Sequence, residues 1–421
     1  MPSLAELNKD AREQAVWIIF KLSQLNFEAS YASYEEGPIL RTFYFKPGLE
    51  SLFGRISSKG DEIAAALSVD SVRLFRKKDL LGVEVPRLDR QLVRFDSLVH
   101  TMLSSSETRD MTLPLLLGVS PKGEYLYADL ATQPHLLTAG STGSGKSVFV
   151  SMVVSSLALF RVPSDLHFIL VDTKNLDLVL FRGLEHVKEI VTDVTVLRKT
   201  LEGLLGEVRM RTAAMSGVAR NMREYNQLAM QGMQYPYKIL IIDELADVLA
   251  TDAALRSGMT SEERADSPSI ASLIQRLTQI SRAAGIHVIM ATQRPSTKMV
   301  TGDTRVGFGD IKANFPARIC FKLPTMADSR VVLDENGAES LLGKGDFLYK
   351  IAGSDEVKRA HSAYVSMQNI ALILEQHNQI RSMYSQLDAR AEISTVPQPV
   401  PQPVDSKGNK PLDNGGTPPV N

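Results

Sequence analysis

One cysteine in 421 residues excludes an internal disulfide framework. Cys320 stands in the apolar-rich stretch ARICFKL, where an inert buried thiol is expected rather than a nucleophile. Such sparing use of cysteine suits a reducing compartment. Net charge is almost absent as well: 47 Lys and Arg against 48 Asp and Glu leave −1. No global basic field therefore draws the chain to a polyanion, and any such affinity must come from a local patch. Long hydrophobic runs are missing too. The longest, VFVSMVVSSLALF, falls short of the roughly 20 residues that cross a bilayer. The opening MPSLAELNKDAREQ has no basic region leading into an apolar stretch, so no signal peptide is expected. These absences together predict a cytoplasmic chain with no direct membrane span.

What is present suits a globular protein with ample core: 44% of residues are apolar and 23% charged. The length implies two or three domains. Residues 1–105 read as a small α+β domain. In it, Ala15, Ile18, Ile19 and Leu22 recur at helical spacing, ILRTFYFKPG reads as a strand ending in a turn, GDEIAAALSV as a helix, and VRLFRKKDLLGVEVPR as a strand pair. From 106 to 394 the apolar strands HLLTAG, HFILVD, KILIIDE and IHVIMAT alternate with amphipathic helical stretches, the pattern of a mostly parallel sheet covered by helices. Residues 395–421 hold seven prolines and no aromatic residue, so a disordered tail is expected there.

Between HLLTAG and VFVSMVVSSL lies Gly140-Ser141-Thr142-Gly143-Ser144-Gly145-Lys146-Ser147, which fits G-x-x-x-x-G-K-[ST]. Phosphate oxygens need converging backbone N–H groups, and side chains would obstruct that approach, hence the glycines. A helix starting at the loop points its positive dipole end at the anion. Lys146 then supplies a cation near the β and γ phosphates, and Ser147 a hydroxyl for Mg²⁺. Such a loop demands a second apolar strand ending in a magnesium-side carboxylate, with another acid near the attacking water. KILIIDE meets the demand with Asp243 and Glu244. A third strand, IHVIMAT, ends in Gln293-Arg294-Pro295; Gln293 is a candidate γ-phosphate sensor there, or else part of a structural turn. Asp172 and Lys174 also close a strand, as ligand groups or as a surface salt bridge.

The run of motifs GSTGSGKSV, VDTKNLDL, VVTDVTVLRKTL, ILIIDELADVL, SRAAGIHVIMATQRPS, IKANFPARICF and DSRVVLDENGAESLLGKGDFLY resembles the motor of the FtsK/SpoIIIE double-stranded DNA translocases. The resemblance runs from about residue 15 to 365. It implies a RecA-like P-loop NTPase core preceded by that family's small α domain. It also implies ATP and Mg²⁺ as cofactors, and a homo-oligomer, normally a hexameric ring, around duplex DNA. By position, Arg282 of SRAAGIH matches the arginine finger offered to the neighbouring subunit's ATP; otherwise it is an exposed helix-end cation. Arg294, Lys312 and Arg330 match positions near the DNA-gripping loops. The segment 292–330 holds seven Lys and Arg against three Asp, a local excess that repeats around a ring.

The resemblance is expected to cover the motor alone, without the family's membrane-spanning segment or its winged-helix module. TGDTRVGFGDIKAN is longer than the family's usual connection, Met326 replaces a frequent lysine, and Asp-Thr-Lys replaces Asp-Pro-Lys. These departures suggest a relative serving a plasmid, phage or other mobile element, with a recombinase or a membrane-anchored protein as candidate partner. The expected activity is ATP-driven movement of double-stranded DNA. A coupling or secretion ATPase feeding DNA–protein or protein substrates to a membrane channel is the alternative, as is a nucleotide-dependent DNA-binding switch without sustained transport.

Overall fold

The computed structural model describes residues 8–48, 53–56, 58–230, 232–295, 311–354 and 356–375. The 303–310 insertion and the tail from 395 lie outside these residues. The helix Lys9–Gln24 begins where the Asn8 side chain accepts the Ala11 N–H, one of the donors a helix start leaves unpaired. Its Ala11, Ala15, Ile18 and Leu22 are buried at helical spacing, against Phe27, Phe43, Phe45, Ile63 and Val83. The strands in this core are β1 (Ala29–Glu36), β2 (Leu40–Pro47), β3 (Arg73–Lys77) and β4 (Leu80–Pro86). They form an antiparallel sheet in the order β1-β2-β4-β3.

Among the described residues the larger sheet has ten strands: β5 (Pro114–Val119), β6 (Tyr125–Asp129), β7 (His135–Ala139), β8 (Leu166–Val171), β9 (Val187–Val191), β10 (Tyr237–Ile242), β11 (Ile286–Thr292), β12 (Ala317–Phe321), β13 (Asp346–Lys350) and β14 (Lys358–His361). Their order is β6-β5-β14-β13-β12-β7-β11-β10-β8-β9. The six from β12 to β9 are parallel, and the other four extend the sheet antiparallel. All five residues of β7 and all seven of β11 are buried, as strands covered on both faces must be. The helix Lys146–Phe160 buries twelve of its fifteen residues, so it is an inner layer rather than a surface cover. Phe149 from it meets Phe321 and Phe347, with ring centroids 5.6 and 6.0 Å apart. The fold is thus the expected α/β core with a mostly parallel sheet, beside a small α+β body. Among the described residues, no helix is long and apolar enough to cross a membrane.

The two bodies share a seam. Leu40 of the small sheet and Ile39 just before it pack into the larger core, as do Phe95, Leu98, Val99 and Met102 of the helix Phe95–Ser104, which precedes residue 106. Buried charge crosses the same seam. Arg359 on β14 donates Nε and Nη2 to the Asp346 carboxylate on β13, at 2.9 and 2.6 Å, and Nη1 to Glu84 on β4 at 2.7 Å. Arg73 adds a contact to Glu84 at 3.2 Å. Burial alone would discourage the guanidinium charge, but Asp346 and then Glu84 hold its pKa above the ordinary arginine value. A buried arginine in KRAH explains why that strand carries so little apolar signal.

Candidate functional site

Strands β7, β10 and β11 run parallel, so Gly140, Asp243 and Gln293 emerge at one end of the sheet. Gly140 gives its N–H to Thr292 O at 3.1 Å, and Ser141 gives its N–H to Lys322 O at 2.9 Å, which ties the loop to the strands flanking β7. Two glycines are required by space. A Cβ on Gly140 would stand 2.6 Å from Phe321 Cβ, and one on Gly145 would stand 2.4 Å from the Gly345 nitrogen. Gly145 also has φ of +108°, a left-handed turn into the helix that starts at Lys146. The Gly345 N–H in turn donates to Ser144 O at 2.8 Å, so the loop 343–345 backs the phosphate loop.

Lys146 is 3% exposed, and its Nζ donates to the carboxylate Oδ1 and to the main-chain oxygen of Asp243, both at 3.0 Å. Glu244, also buried, accepts the Thr292 hydroxyl at 2.8 Å, and the Gln293 N–H at 3.1 Å on Oε1 and 2.9 Å on Oε2. A carboxylate offers about four acceptor positions, so Oε2 retains room for one more donor. The Gln293 side chain reaches the other way, accepting the Thr142 hydroxyl at 2.9 Å. The third strand therefore touches both the glycine loop and the second acid. A buried Ser144 hydroxyl with no hydrogen-bond partner among the described residues points to a cradle made to receive a polar group. The loop geometry fits a nucleotide triphosphate. Ser147 lines the same cavity of about 500 Å³ as Lys146, Gly143 and Gln293. Among the described residues, no three His, Cys, Asp or Glu form a metal cluster, so a magnesium ion would rest on one hydroxyl, one acid and its phosphates.

Other sequence candidates sit elsewhere. Asp172 is buried, and its Oδ2 accepts the N–H groups of Leu176, Asp177 and Leu178 at 2.9–3.0 Å; it shapes a turn. Lys174 pairs with Asp247 at 2.8 Å at the surface. Arg282 is exposed just after the helix Ile270–Ile280, and no ion pair holds it among the described residues. It precedes β11, whereas Gln293 follows that strand. At about 3.3 Å per residue the two are separated by about 20 Å, beyond the reach of an arginine side chain. Arg282 thus cannot serve the phosphate loop of its own chain. Arg294 and Arg330 are exposed. Lys312 is not free: its ammonium pairs with Asp334 at 2.8 Å and its side chain is 14% exposed. It also precedes β12, at the opposite end of the sheet from Arg294, so the three cations do not form one patch. A second cavity, of about 370 Å³, lies beside Tyr237 where the strands begin; Arg161 there is engaged by the carbonyls of Met111 and Thr112.

The sequence reading missed three contributors. Thr292 closes an apolar strand and gave no signal. The loop 343–345 belongs to the quoted GAESLLGKGD motif, but its support of the phosphate loop required the tertiary structure. Leu92 and Tyr364 line the nucleotide-sized cavity from two remote loops.

Comparison with known proteins gives two family matches: the FtsK alpha domain over residues 3–87 and the FtsK/SpoIIIE family over residues 99–297. The DNA translocase FtsK of Leptospira interrogans is 37% identical over 366 residues, covering 84% of this chain and 36% of that protein. The DNA translocase FtsK of Rickettsia prowazekii is 33% identical over 408 residues, covering 89% of this chain and 51% of that one. The chain therefore spans about a third to a half of the length of the curated relatives it matches. Among solved structures, the pCW3 conjugation coupling protein TcpA, a monomer with ATPγS, superposes with a TM-score of 0.57 at 22% identity over 89% of this chain and 99% of that chain. The cytoplasmic domain of the Thermomonospora curvata type VII secretion ATPase EccC gives 0.53 at 24% identity over 66% of this chain and 32% of that chain. Both likenesses establish the P-loop ATPase fold.

Proposed function

Because the chain belongs to the FtsK/SpoIIIE family, we propose that it is an ATP hydrolase that moves double-stranded DNA through a ring of its own copies. The observation that carries the reading is the meeting of three strand ends: Lys146 on Asp243 at 3.0 Å, with Glu244 held beside it by Thr292 and Gln293. The backbone of Gly140–Gly145 cradles the phosphates. Lys146 leaves Asp243 for the β and γ oxygens as the nucleotide enters, and the free carboxylate becomes available. Ser147 and Asp243 are the residues that would hold magnesium, which when bound spreads phosphate charge. Glu244 orients the attacking water through its spare acceptor position.

Gln293 links the outcome to motion. It joins Thr142 of the loop to Glu244 through its side chain and its backbone, so loss of the γ-phosphate changes the setting of the β11 tip and of Arg294 beyond it. Arg282 serves the site of an adjacent subunit. For the DNA backbone we assign the exposed Arg294 and Arg330 and leave out Lys312, whose ammonium is engaged by an Asp334 carboxylate that it shares with Arg318. A small domain from 1 to 105, a motor from 106 to 394, a six-membered ring and a cytoplasmic setting complete the proposal.

The test is the ATPase rate of the full chain with and without linear duplex DNA, beside Lys146→Ala. Stimulation by duplex but not by single strands or protein, and a rate at background in the variant, supports the reading. A rate indifferent both to DNA and to the loss of Lys146 overturns it.

A further inference from the structure

Behind the phosphate loop, three consecutive residues hold left-handed backbone: Gly343 at φ +79°, Lys344 at +51° and Gly345 at +104°. A residue with a side chain rarely rests there, so Lys344 stays only because its surroundings fix it. What fixes the turn is Asp346. Its N–H donates to Gly343 O at 3.2 Å, and its Oδ2 accepts the Leu342 N–H at 2.8 Å. From the far side, the Ser362 N–H donates to Gly345 O at 2.8 Å. The Gly345 peptide is thus clamped between residue 362 and Ser144 of the phosphate loop. That contact has no slack, because Gly145 and the Gly345 nitrogen leave no room between them even for a Cβ. A displacement of residue 345 is therefore passed on to Gly145 and Ser144.

Asp346 is 1% exposed, so its carboxylate needs a cation beside it to remain charged. Arg359 supplies one through two parallel N–H bonds, a geometry that fixes orientation as well as charge. The guanidinium is held in turn by Glu84, which lies 275 positions away on β4 of the small sheet. Glu84 is the one charge inside LLGVEVP and is 3% exposed, so apolar packing gives it no reason to be there. We propose that Glu84 and Arg359 are positioning residues of the nucleotide site: by holding Asp346, they set the turn 343–345 against the phosphate loop. The inference rests on the nucleotide reading above and adds to it a contribution from the small domain. The phosphate loop of the motor is complete only with the small sheet docked. The coupling is reciprocal, so a nucleotide that seats the loop also secures that docking.

Steady-state ATP hydrolysis by the full chain with linear duplex DNA, read as KM and kcat separately, tests this linkage. In Glu84→Ala, KM for ATP is expected to rise about tenfold, the effect of losing one hydrogen bond to a charged group, while kcat stays within about twofold. The split arises because a bound triphosphate itself re-forms the loop, so the deficit appears in binding. Inorganic tripolyphosphate, used as a competitive inhibitor, is expected to weaken to the same extent, since the loop grips phosphates alone. Glu84→Gln keeps an oxygen for Arg359 and is expected to restore KM. Ser71→Ala removes another contact across the seam, to Ser340 O at 3.0 Å, without touching Arg359 or Asp346. It is expected to leave KM within about twofold. An unchanged KM in Glu84→Ala overturns the proposal even if kcat falls, since that pattern reports fewer folded molecules. An equal rise of KM in Ser71→Ala overturns it too, because the seam as a whole would then be responsible. Lys146→Ala reports on the underlying reading: it must lose both ATP and tripolyphosphate, and retention of both would remove the nucleotide site itself.

Discussion

At the end of the sheet where β7, β10 and β11 finish, Lys146 has Asp243, Glu244 has Thr292 and Gln293, and Thr142 has Gln293, all within one chain. At the end where β11 begins, Arg282 stands exposed with no ion pair among the described residues, beside two buried histidines. The first end is a set of charges already satisfied, waiting for a stronger ligand. The second presents a cation with nothing to neutralise. In the proposed ring, a neighbour's Arg282 would complete the site that this subunit's own Arg282, about 20 Å away, does not reach.

The strongest way to break that contrast is Arg282→Ala. Loss of a finger from such a site costs on the order of a thousandfold in turnover. Because the residue is exposed, stability should change by no more than about 0.5 kcal/mol, and nucleotide affinity should stay within about twofold. Steady-state ATPase rates alongside urea unfolding check both halves; normal turnover removes the assignment. Arg359→Met sharpens the comparison from the side of stability. It strips the cation from buried Asp346 and leaves Glu84 only the Arg73 contact, and breaking such a pair costs about 3–5 kcal/mol. Urea midpoints should therefore fall far more for this variant than for Arg282→Ala.

The smallest effect is a pH dependence at the Arg282 end. Burial, then the neighbouring His287, pushes His135 down to about 3; burial pushes His287 down to about 4. His135 takes the Val288 N–H on Nδ1, so its proton sits on Nε2 and faces Thr278 O at 3.0 Å. An unfolded histidine binds a proton near pH 6.5, and these two do not until far lower. The unfolded state therefore gains protons first, so their contribution is present above about 6.5 and drains away as pH falls toward 4. Unfolding midpoints at pH 7, 6 and 5 should decline in that order, and the slope should flatten in a His287→Gln variant.

The sequence was most legible where burial is symmetric. HLLTAG, HFILVD, KILIIDE and IHVIMAT lie on parallel strands covered on both faces, so their apolar runs are unbroken, and the helix Lys9–Gln24 kept its spacing because one face meets one core. Strands β13 and β14 hid because Asp346 and Arg359 are charges buried by each other across thirteen residues, which no local pattern reveals. The candidate site divided the same way. The glycine loop and the acid pair each carry their chemistry in consecutive residues. Lys312 is engaged by Asp334, which lies 22 positions on, and Val93 and Arg94 meet Tyr364 only through the fold. Spacing sees covalent neighbours; it does not see which distant charge or side chain arrives.

Mixing two inactive proteins tests the shared site most directly. Lys146→Ala keeps Arg282, and Arg282→Ala keeps a whole phosphate loop, so random co-assembly creates intact junctions at about a quarter of the contacts. The account predicts that each variant alone is silent and that the mixture hydrolyses ATP. A mixture as silent as its parts, under conditions where both co-assemble, would contradict it.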